Sequence, residues 1–418
     1  ARTSAFSYKG QATDVREIGA KLNVKTLLEG SVRKAGNSLR ILVQLVNVDD
    51  GCQLWSEKFD RDLDNLFVIQ DEISLAIVKS LKLKLMGDQR ERLLGRHTEN
   101  VDAHILYLKG RYFWNKRTKE DINRAFEFFR KAIELDPQFA LAYAGLADSY
   151  VVMGIYGYLP LAVSMKEARE AAMTALEKDD RLGEAHASLA MIKTWLDWDW
   201  VGAERDFRRA LELNPSYAEA HHQYSHLLSH LGRHQEAIRE MQHALLLEPV
   251  SLNINACMGQ IMFQARRYDD AIAQLQKTIE MNPEFYDGHS WLGMAMLQKG
   301  MYDQALDKFE EGRDFAMIEE RMNASIAYTY AVTGREREAR KLLAVLEENP
   351  GGERADYYLT AVVYAGLGDV DHAIADLRRA CEERSHRLFT MLKVDPLIDN
   401  LRSDPRFTDL LRQTGLGA

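Results

Sequence analysis

The stretch EFYDGHSWLGMAMLQKGMYDQALDKFEEGRDFAM, residues 284–317, decides how this chain folds. Two amphipathic runs flank Gly300, a residue that breaks a helix. In the first run Leu292-Gly293 leaves room for a close helix crossing. In the second, opened by Tyr302, Ala305 and Phe309 place a small residue and then a bulky one on the same face. The pattern predicts helix, turn, helix. Pro283 ends the helix before it, because proline has no backbone N–H to donate. Pro215, Pro249 and Pro283 recur at intervals of 34 residues, and Pro350 follows 67 residues later. A two-helix unit of this period cannot bury its apolar face alone, so copies stack into an α-solenoid.

The pattern extends in both directions. Residues 216–249 carry Gly232, Ala237, Met241, Ala244 and Pro249, and residues 250–283 carry Gly259, Tyr268, Ala271, Leu275 and Pro283. Residues 183–215 carry Leu189-Ala190, Ala203, Phe207, Ala210 and Pro215. Ala125, Phe129, Ala132 and Pro137 close a unit that starts near Val101. Between Pro137 and Arg181 lies a unit with Tyr143, Leu146, Ala147 and Tyr150 in its first helix and Ala168, Ala172 and Ala175 in its second. Its turn is lengthened around Gly154, Gly157 and Pro160. Ala327, Tyr330, Gly334, Ala339 and Leu343 mark a seventh unit, and Ala361, Tyr364, Gly368, Ala373, Leu377 and Ala380 an eighth. Eight units thus span 101–386. Residues 387–418 depart from the pattern. Asp395-Pro396 and Asp404-Pro405 read as helix N-caps followed by proline at the first helical position. With Leu397, Ile398, Leu401, Phe407, Leu410 and Leu411 they are expected to cap the last apolar face.

Residues 1–90 read as a separate domain, joined by a linker at 91–100. Val15, Ile18 and Leu22 give a short helix capped by Asp14. Strands follow at Val24–Val32, Leu39–Val48 and Cys52–Phe59, with turns at Gly36-Asn37 and Asp50-Gly51. A long helix is expected from Leu63 to Met86, its stripe carried by Phe67, Ile69, Ile73, Ile77 and Leu81. This order describes a small α/β or α+β sheet domain that lacks its first elements and leaves a strand edge open to self-association.

The net charge of −9 argues against nucleic acid as the partner of this region. The first hundred residues hold 16 Lys and Arg against 14 Asp and Glu, and the remainder 38 against 49, so the acidity lies in the repeats. Cys52, Cys257 and Cys381 are far apart in sequence, without metal spacing, and leave an odd thiol. Cys257 and Cys381 fall on helices and read as small buried apolar groups. The thiols lean toward a cytoplasmic rather than a periplasmic setting. No run of 18 apolar residues and no signal peptide occurs. The start, Ala1-Arg2-Thr3-Ser4, lacks an initiator Met and suggests a piece of a longer protein.

The repeat period and residue pattern resemble the tetratricopeptide repeat. Leu28-Glu29-Gly30-Ser31-Val32-Arg33, Gln44-Leu45-Val46, Leu54-Trp55-Ser56-Glu57 and Phe67-Val68-Ile69-Gln70-Asp71-Glu72-Ile73 look like a TolB-like amino-terminal domain, found ahead of such arrays in bacteria. Asp197-Trp198-Asp199-Trp200 with Ala203-Glu204, and Leu401-Arg402-Ser403-Asp404-Pro405-Arg406-Phe407, recur in the same family. The resemblance covers nearly the whole chain. It implies a regulatory or sensory module attached to a winged-helix, nucleotide-cyclase or kinase output domain. No output domain stands in this chain, and the sheet domain's leading strand and helix are missing.

The densest unusual cluster is His221, His222, His226, His230, His234 and His243. His222, His226 and His230 lie at i, i+4, i+8 on one helix face, a spacing a metal could use. No carboxylate or Cys joins them at matching spacing, so the face reads as the inner wall of the solenoid, with pH sensitivity from its imidazoles. The register of the inner wall gives Glu219, His222, His226 and His230 in one unit. Asn253, Gln260, Phe263 and Gln264 follow in the next, and Asp287, Ser290, Met294 and Gln298 in the one after. Amides there suit a peptide backbone and Phe263 an apolar side chain. The wall lacks the Lys/Asn pattern with which chaperone-binding members of the fold clamp a C-terminal carboxylate. Trp195, Trp198 and Trp200 read as a hydrophobic plug between units. Arg33, Lys34 and Arg40 read as solvated strand charges, and Glu29 and Glu57 carry no mark of an acid–base pair. Gly-rich phosphate loops, G-x-S-x-G and paired carboxylates are absent. The chain therefore reads as a non-catalytic scaffold, without cofactor or metal, whose free inner wall binds a protein or peptide. Two alternatives stand: the regulatory half of a larger signalling enzyme or transcriptional regulator, and a small-ligand sensor acting through the sheet domain.

Overall fold

A computed structural model describes residues 4–5, 8–11, 13–36, 38–62, 66–80, 97–315, 319–348 and 356–417. The chain forms two compact units, residues 1–192 with 212–215 and residues 193–211 with 216–418.

In the first unit α1 (Val15–Leu22) is capped by Asp14, whose side chain accepts from the Arg16 N–H, as expected. Three strands, β1 (Thr26–Ala35), β2 (Ser38–Asn47) and β3 (Gln53–Asp62), pair antiparallel in that order. A register irregularity falls at Leu45/Val46. Gly36 and Gly51 adopt positive φ at the two turns, and Asp50 accepts from the Cys52 N–H at 2.8 Å. Asn37 lies outside the described residues. Gly19 lets α1 lie on the sheet, since a side chain there would collide with Val48. Helix α2 (Leu66–Ser80) joins β3 through Arg61 and Glu72, paired at 2.9 Å. The expected continuation to Leu81 and Met86 lies outside the described residues.

The helix pairs follow. In the first unit these are α3 (Val101–Trp114) with α4 (Lys119–Leu135), α5 (Ala140–Ile155) with α6 (Leu161–Lys178), and α7 (Gly183–Ile192). Phe129 of α4 is fully buried. A Cβ at Gly110 or Gly145 would sit 2.5 or 2.6 Å from its ring. Small residues on the first helices thus let the bulky residue of the second helix enter. Arg111, Asp148 and Ser188, from α3, α5 and α7, join through two hydrogen bonds of 2.7 Å.

The boundary between the units falls within the next pair, after Ile192. A π-helical segment, Lys193–Asp197, precedes α8 (Trp200–Leu213). The pairs α9 (Ala218–His230) with α10 (His234–Leu247), α11 (Leu252–Gln264) with α12 (Tyr268–Met281), and α13 (Tyr286–Gln298) with α14 (Tyr302–Arg313) continue the second unit. They are followed by α15 (Glu320–Val332) with α16 (Glu336–Glu348) and α17 (Tyr357–Gly366) with α18 (Val370–Glu382). Pro350 lies outside the described residues. The rule read from residues 284–317 holds in space: a Cβ on Gly293 would lie 2.5 Å from the buried Phe309. The turns use positive φ at Gly232, Gly300, Gly334 and Gly368, where glycine carries no steric cost. Among the described residues no helix is long and apolar enough to cross a membrane.

The chain ends with α19 (His386–Met391), a 3₁₀ helix (Pro396–Leu401) and α20 (Pro405–Gln413). Asp395 and Asp404 are the expected N-caps, accepting from the N–H groups of Leu397 and Arg406. The segment packs on the last helix pair. Tyr358 donates to Asp395 at 2.7 Å, Asn400 to the Ala365 carbonyl at 2.8 Å, and Arg406 pairs with Asp371 at 2.9 Å.

Candidate functional site

The first helices of consecutive pairs in the second unit, α9, α11, α13 and α15, lie side by side and form a wall. Glu219, Asn253, Asp287 and Arg321 occupy one register line on it, 34 residues apart. His226, Gln260, Met294 and Tyr328 occupy another. The line of His230, Gln264 and Gln298 ends the helices, and the C-terminal segment crosses the wall at the His230 and Gln264 positions.

Phe389 anchors that crossing. Its fully buried ring lies 5.3, 6.1 and 5.9 Å from the rings of Trp195, Trp198 and Trp200, and 6.1 Å from His230. The three tryptophans are a hydrophobic plug, and what they hold is this segment. Trp200 Nε1 donates to the Thr414 carbonyl at 2.9 Å. Gln264 accepts from Ser229 at 2.6 Å and donates to the Met391 sulfur at 3.3 Å. Arg266 donates to the Val394 carbonyl at 2.6 Å and pairs with Asp399 at 2.8 Å. Arg384 donates to the Leu196 carbonyl at 3.0 Å and stacks 4.6 Å from Trp198.

Arg266 stands in the turn where Gly232, Gly300, Gly334 and Gly368 stand in other pairs. It keeps the same left-handed backbone, at φ 63°. A side chain there costs about 1–2 kcal/mol. The cost is offset by what the guanidinium holds. This register mismatch was visible in the sequence and marks the seam.

The expected free wall is therefore corrected. His230 and Gln264 are buried at the seam. Phe263 does not offer its ring to a ligand: it is fully buried, 5.9 Å from Tyr268 and 5.7 Å from Trp291. Ser290 and Met294 are buried as well. Glu219, His226, Asn253, Gln260, Asp287 and Gln298 remain partly exposed. Asp287 pairs with Arg321 at 3.1 Å, and Arg321 stacks 4.4 Å from Trp291.

The histidines form a row, with ring centroids 5.0 Å apart and edge-to-face between His222 and His226, and 5.9 Å apart and tilted between His226 and His230. The expected titration near neutrality is also corrected. Burial, then repulsion from His222 and His230, holds His226 well below the usual imidazole range. Burial, then His234, lowers His230 to about 3. Desolvation of the charged ring outweighs the nearby Glu219 carboxylate. Cys257 of α11 is half-buried and lies beside His222 and His226. A thiol thus joins the histidines after all, from the neighbouring repeat, where spacing along one helix could not reveal it.

Tetratricopeptide-repeat models match residues 103–139, 207–239 and 258–316. The chain is similar to a putative adenylate cyclase 3 of Rhizobium meliloti, 31% identical over 197 residues that cover 47% of this chain and 34% of that protein. It is also similar to the transcriptional regulator HilA of Salmonella typhimurium, 22% identical over 56% of this chain and 42% of that one. The chain thus spans less than half the length of these curated relatives. Yeast Tom70 is similar in structure, at 18% identity over 76% of this chain and 69% of that one, with a TM-score of 0.44. The fold is an array of helix pairs, three stretches of which match tetratricopeptide-repeat models, preceded by a small three-stranded antiparallel sheet.

Proposed function

We propose that this chain is a protein-binding regulatory module whose partner docks on the partly exposed strip Glu219, His226, Asn253, Gln260, Asp287 and Gln298. Tetratricopeptide repeats generally mediate protein–protein interaction. The observation that carries the specific reading is that the same wall already seats a segment of its own chain. It does so with one buried aromatic (Phe389), one main-chain carbonyl (Val394) and one carboxylate (Asp399). These are features that any short peptide can present. The strip beside it presents the partly exposed amides of Asn253 and Gln260 and carboxylates of Glu219 and Asp287. The test is capture from an extract of the native cell with the whole chain. A protein retained by the wild type and by the outer-face variant Lys277→Glu, but lost with Asn253→Arg and Gln260→Arg, supports the reading. Capture that is indifferent to both wall variants overturns it.

A second reading is favoured by the curated relatives, a cyclase and a transcriptional regulator, each covered over less than half its length. On this reading the chain is the regulatory part of a larger bacterial signalling protein, its sheet domain TolB-like, and partner docking biases an output domain. The gene sequence upstream of Ala1 tests it. A cyclase, kinase or winged-helix domain in frame supports the reading, and a start codon directly ahead of the sheet domain removes it.

A further inference from the structure

We propose that His222, His226 and Cys257 form a binding site for a zinc-class divalent cation on the helix wall of the second unit. One nitrogen or sulfur atom of each residue lies within 4.8 Å of the others. His222 and His226 are one turn apart on the same face of α9, and Cys257 comes from α11. Zinc–nitrogen bonds of about 2.0–2.1 Å and a zinc–sulfur bond of about 2.3 Å place tetrahedral ligand atoms roughly 3.3–3.7 Å apart. Closing onto an ion therefore needs these atoms to approach one another by about 1 Å.

An independent observation points to the same place. His222 is only 2% exposed, yet its Nε2 has no hydrogen-bond partner. A buried polar atom without a partner is costly and rare. The other ring nitrogen, Nδ1, faces Gln223 at 3.3 Å and Glu219 at 3.8 Å. Nε2 is then the nitrogen left for a metal.

The electrostatics agree. Burial keeps the His226 ring neutral, which is the ligating form. Burial, then Asp287 and Glu219, holds Cys257 protonated, well above the ordinary thiol range. A dication reverses that last preference: Cys257 binds as thiolate, its proton passes to solvent, and both imidazoles bind neutral. Two imidazoles and one thiolate suit zinc and disfavour calcium or magnesium, which take oxygen ligands. Three protein ligands leave the fourth tetrahedral position for a water. A second cluster, His221, Glu240 and His243, differs in kind. There His221 is already paired with Glu240 at 2.7 Å and His243 is exposed, so it serves as the control.

The experiment strips the whole purified chain with a chelator, titrates it with Co²⁺ and displaces the cobalt with Zn²⁺. One ion per chain is expected, with a thiolate-to-cobalt charge-transfer band that zinc abolishes. Cys257→Ser removes the band and weakens zinc binding by at least about a hundredfold, beyond the roughly 10–100-fold typical of an outer-shell change. His222→Gln and His226→Gln weaken it comparably, and His243→Ala leaves it unchanged. X-ray absorption of the zinc-loaded wild type gives a readout that does not depend on any variant folding: one sulfur scatterer among nitrogens. A wild type without the band, a band that survives Cys257→Ser, or a zinc shell without sulfur overturns the proposal. So does zinc affinity lost with His243→Ala and kept with His222→Gln.

Discussion

At the register of His230 and Gln264 the wall of the second unit is closed by the chain itself; two to three turns earlier, at Asn253 and Cys257, it is left partly open. Both regions lie on α9 and α11, and both present amides. Gln264 is used on both sides, accepting from Ser229 and donating to Met391. Asn253 and Gln260 keep access to solvent. The difference arises in the turn after α11, where Arg266 stands in place of glycine and holds Val394 and Asp399. Occupancy of a repeat wall is thus decided by a residue outside it. A solenoid can seat its own terminus on one strip while a neighbouring strip of the same helices stays available.

The largest expected effect breaks the closed side. Phe389→Ala removes a fully buried ring from among three tryptophans and a histidine. It should cost about 3–5 kcal/mol. Denaturant unfolding followed by tryptophan emission reads it directly, because Trp195, Trp198 and Trp200 are the reporters. A loss below about 1 kcal/mol would mean that the segment only rests on the wall.

The row of imidazoles spans both regions and makes their boundary sensitive to acid. The folded chain holds His230 at about 3, whereas an unfolded histidine titrates near 6.5. Between those values the unfolded state binds the extra proton. Stability is therefore complete above about pH 6.5 and falls as the pH drops toward about 3, with a slope of up to about 1.4 kcal/mol per pH unit for this one group. His230→Gln should flatten the stability profile in that window and leave its slope above pH 7 unchanged. A profile as steep as the wild type's would show that His230 is not held neutral.

Arg266 separates side chain from backbone. Arg266→Ala loses the bonds to Val394 and Asp399 but keeps the left-handed turn, and should cost about 2 kcal/mol. Arg266→Gly loses the same bonds and relieves the turn, so it should be more stable than the alanine variant by about 1 kcal/mol. Equal stabilities would mean that the turn carries no strain.

Much of this architecture was legible in the sequence because it is local. Gly293 and Phe309 lie within one helix pair, and Asp395 and Asp404 announce their helices through the proline that follows each. The strands were legible through alternation and the turns Gly36 and Gly51. What stayed hidden depends on neighbours a full repeat or more away. Cys257 meets His222 only because α11 lies beside α9, and the register line passes through Gln223 rather than through a histidine. Phe263 keeps wall-like spacing, but Tyr268 and Trp291 cover it. The route of residues 386–401 could not follow from periodicity, since the segment has none. The one available sign was Arg266 at a glycine register.

The smallest stability effect belongs to the open strip, and it is the sharpest test of the comparison. Asn253 is partly exposed on the first turn of α11, in register with Glu219 and Asp287. Its side chain meets the Cys257 sulfur only at 3.8 Å. Asn253→Arg fills no cavity and breaks no buried network, so folding stability should change by no more than about 0.5 kcal/mol. An arginine there reaches across the amides that a docked chain would use and adds a cation beside Arg321. If the strip is the docking surface, partner capture falls sharply while the melting curve stays in place. A comparable charge reversal at Lys277, on the exposed face of α12, should move neither. On the closed side stability and occupancy are lost together, because there the ligand is part of the fold. On the open side they separate, and that separation is what a binding surface, as opposed to a packing surface, must display.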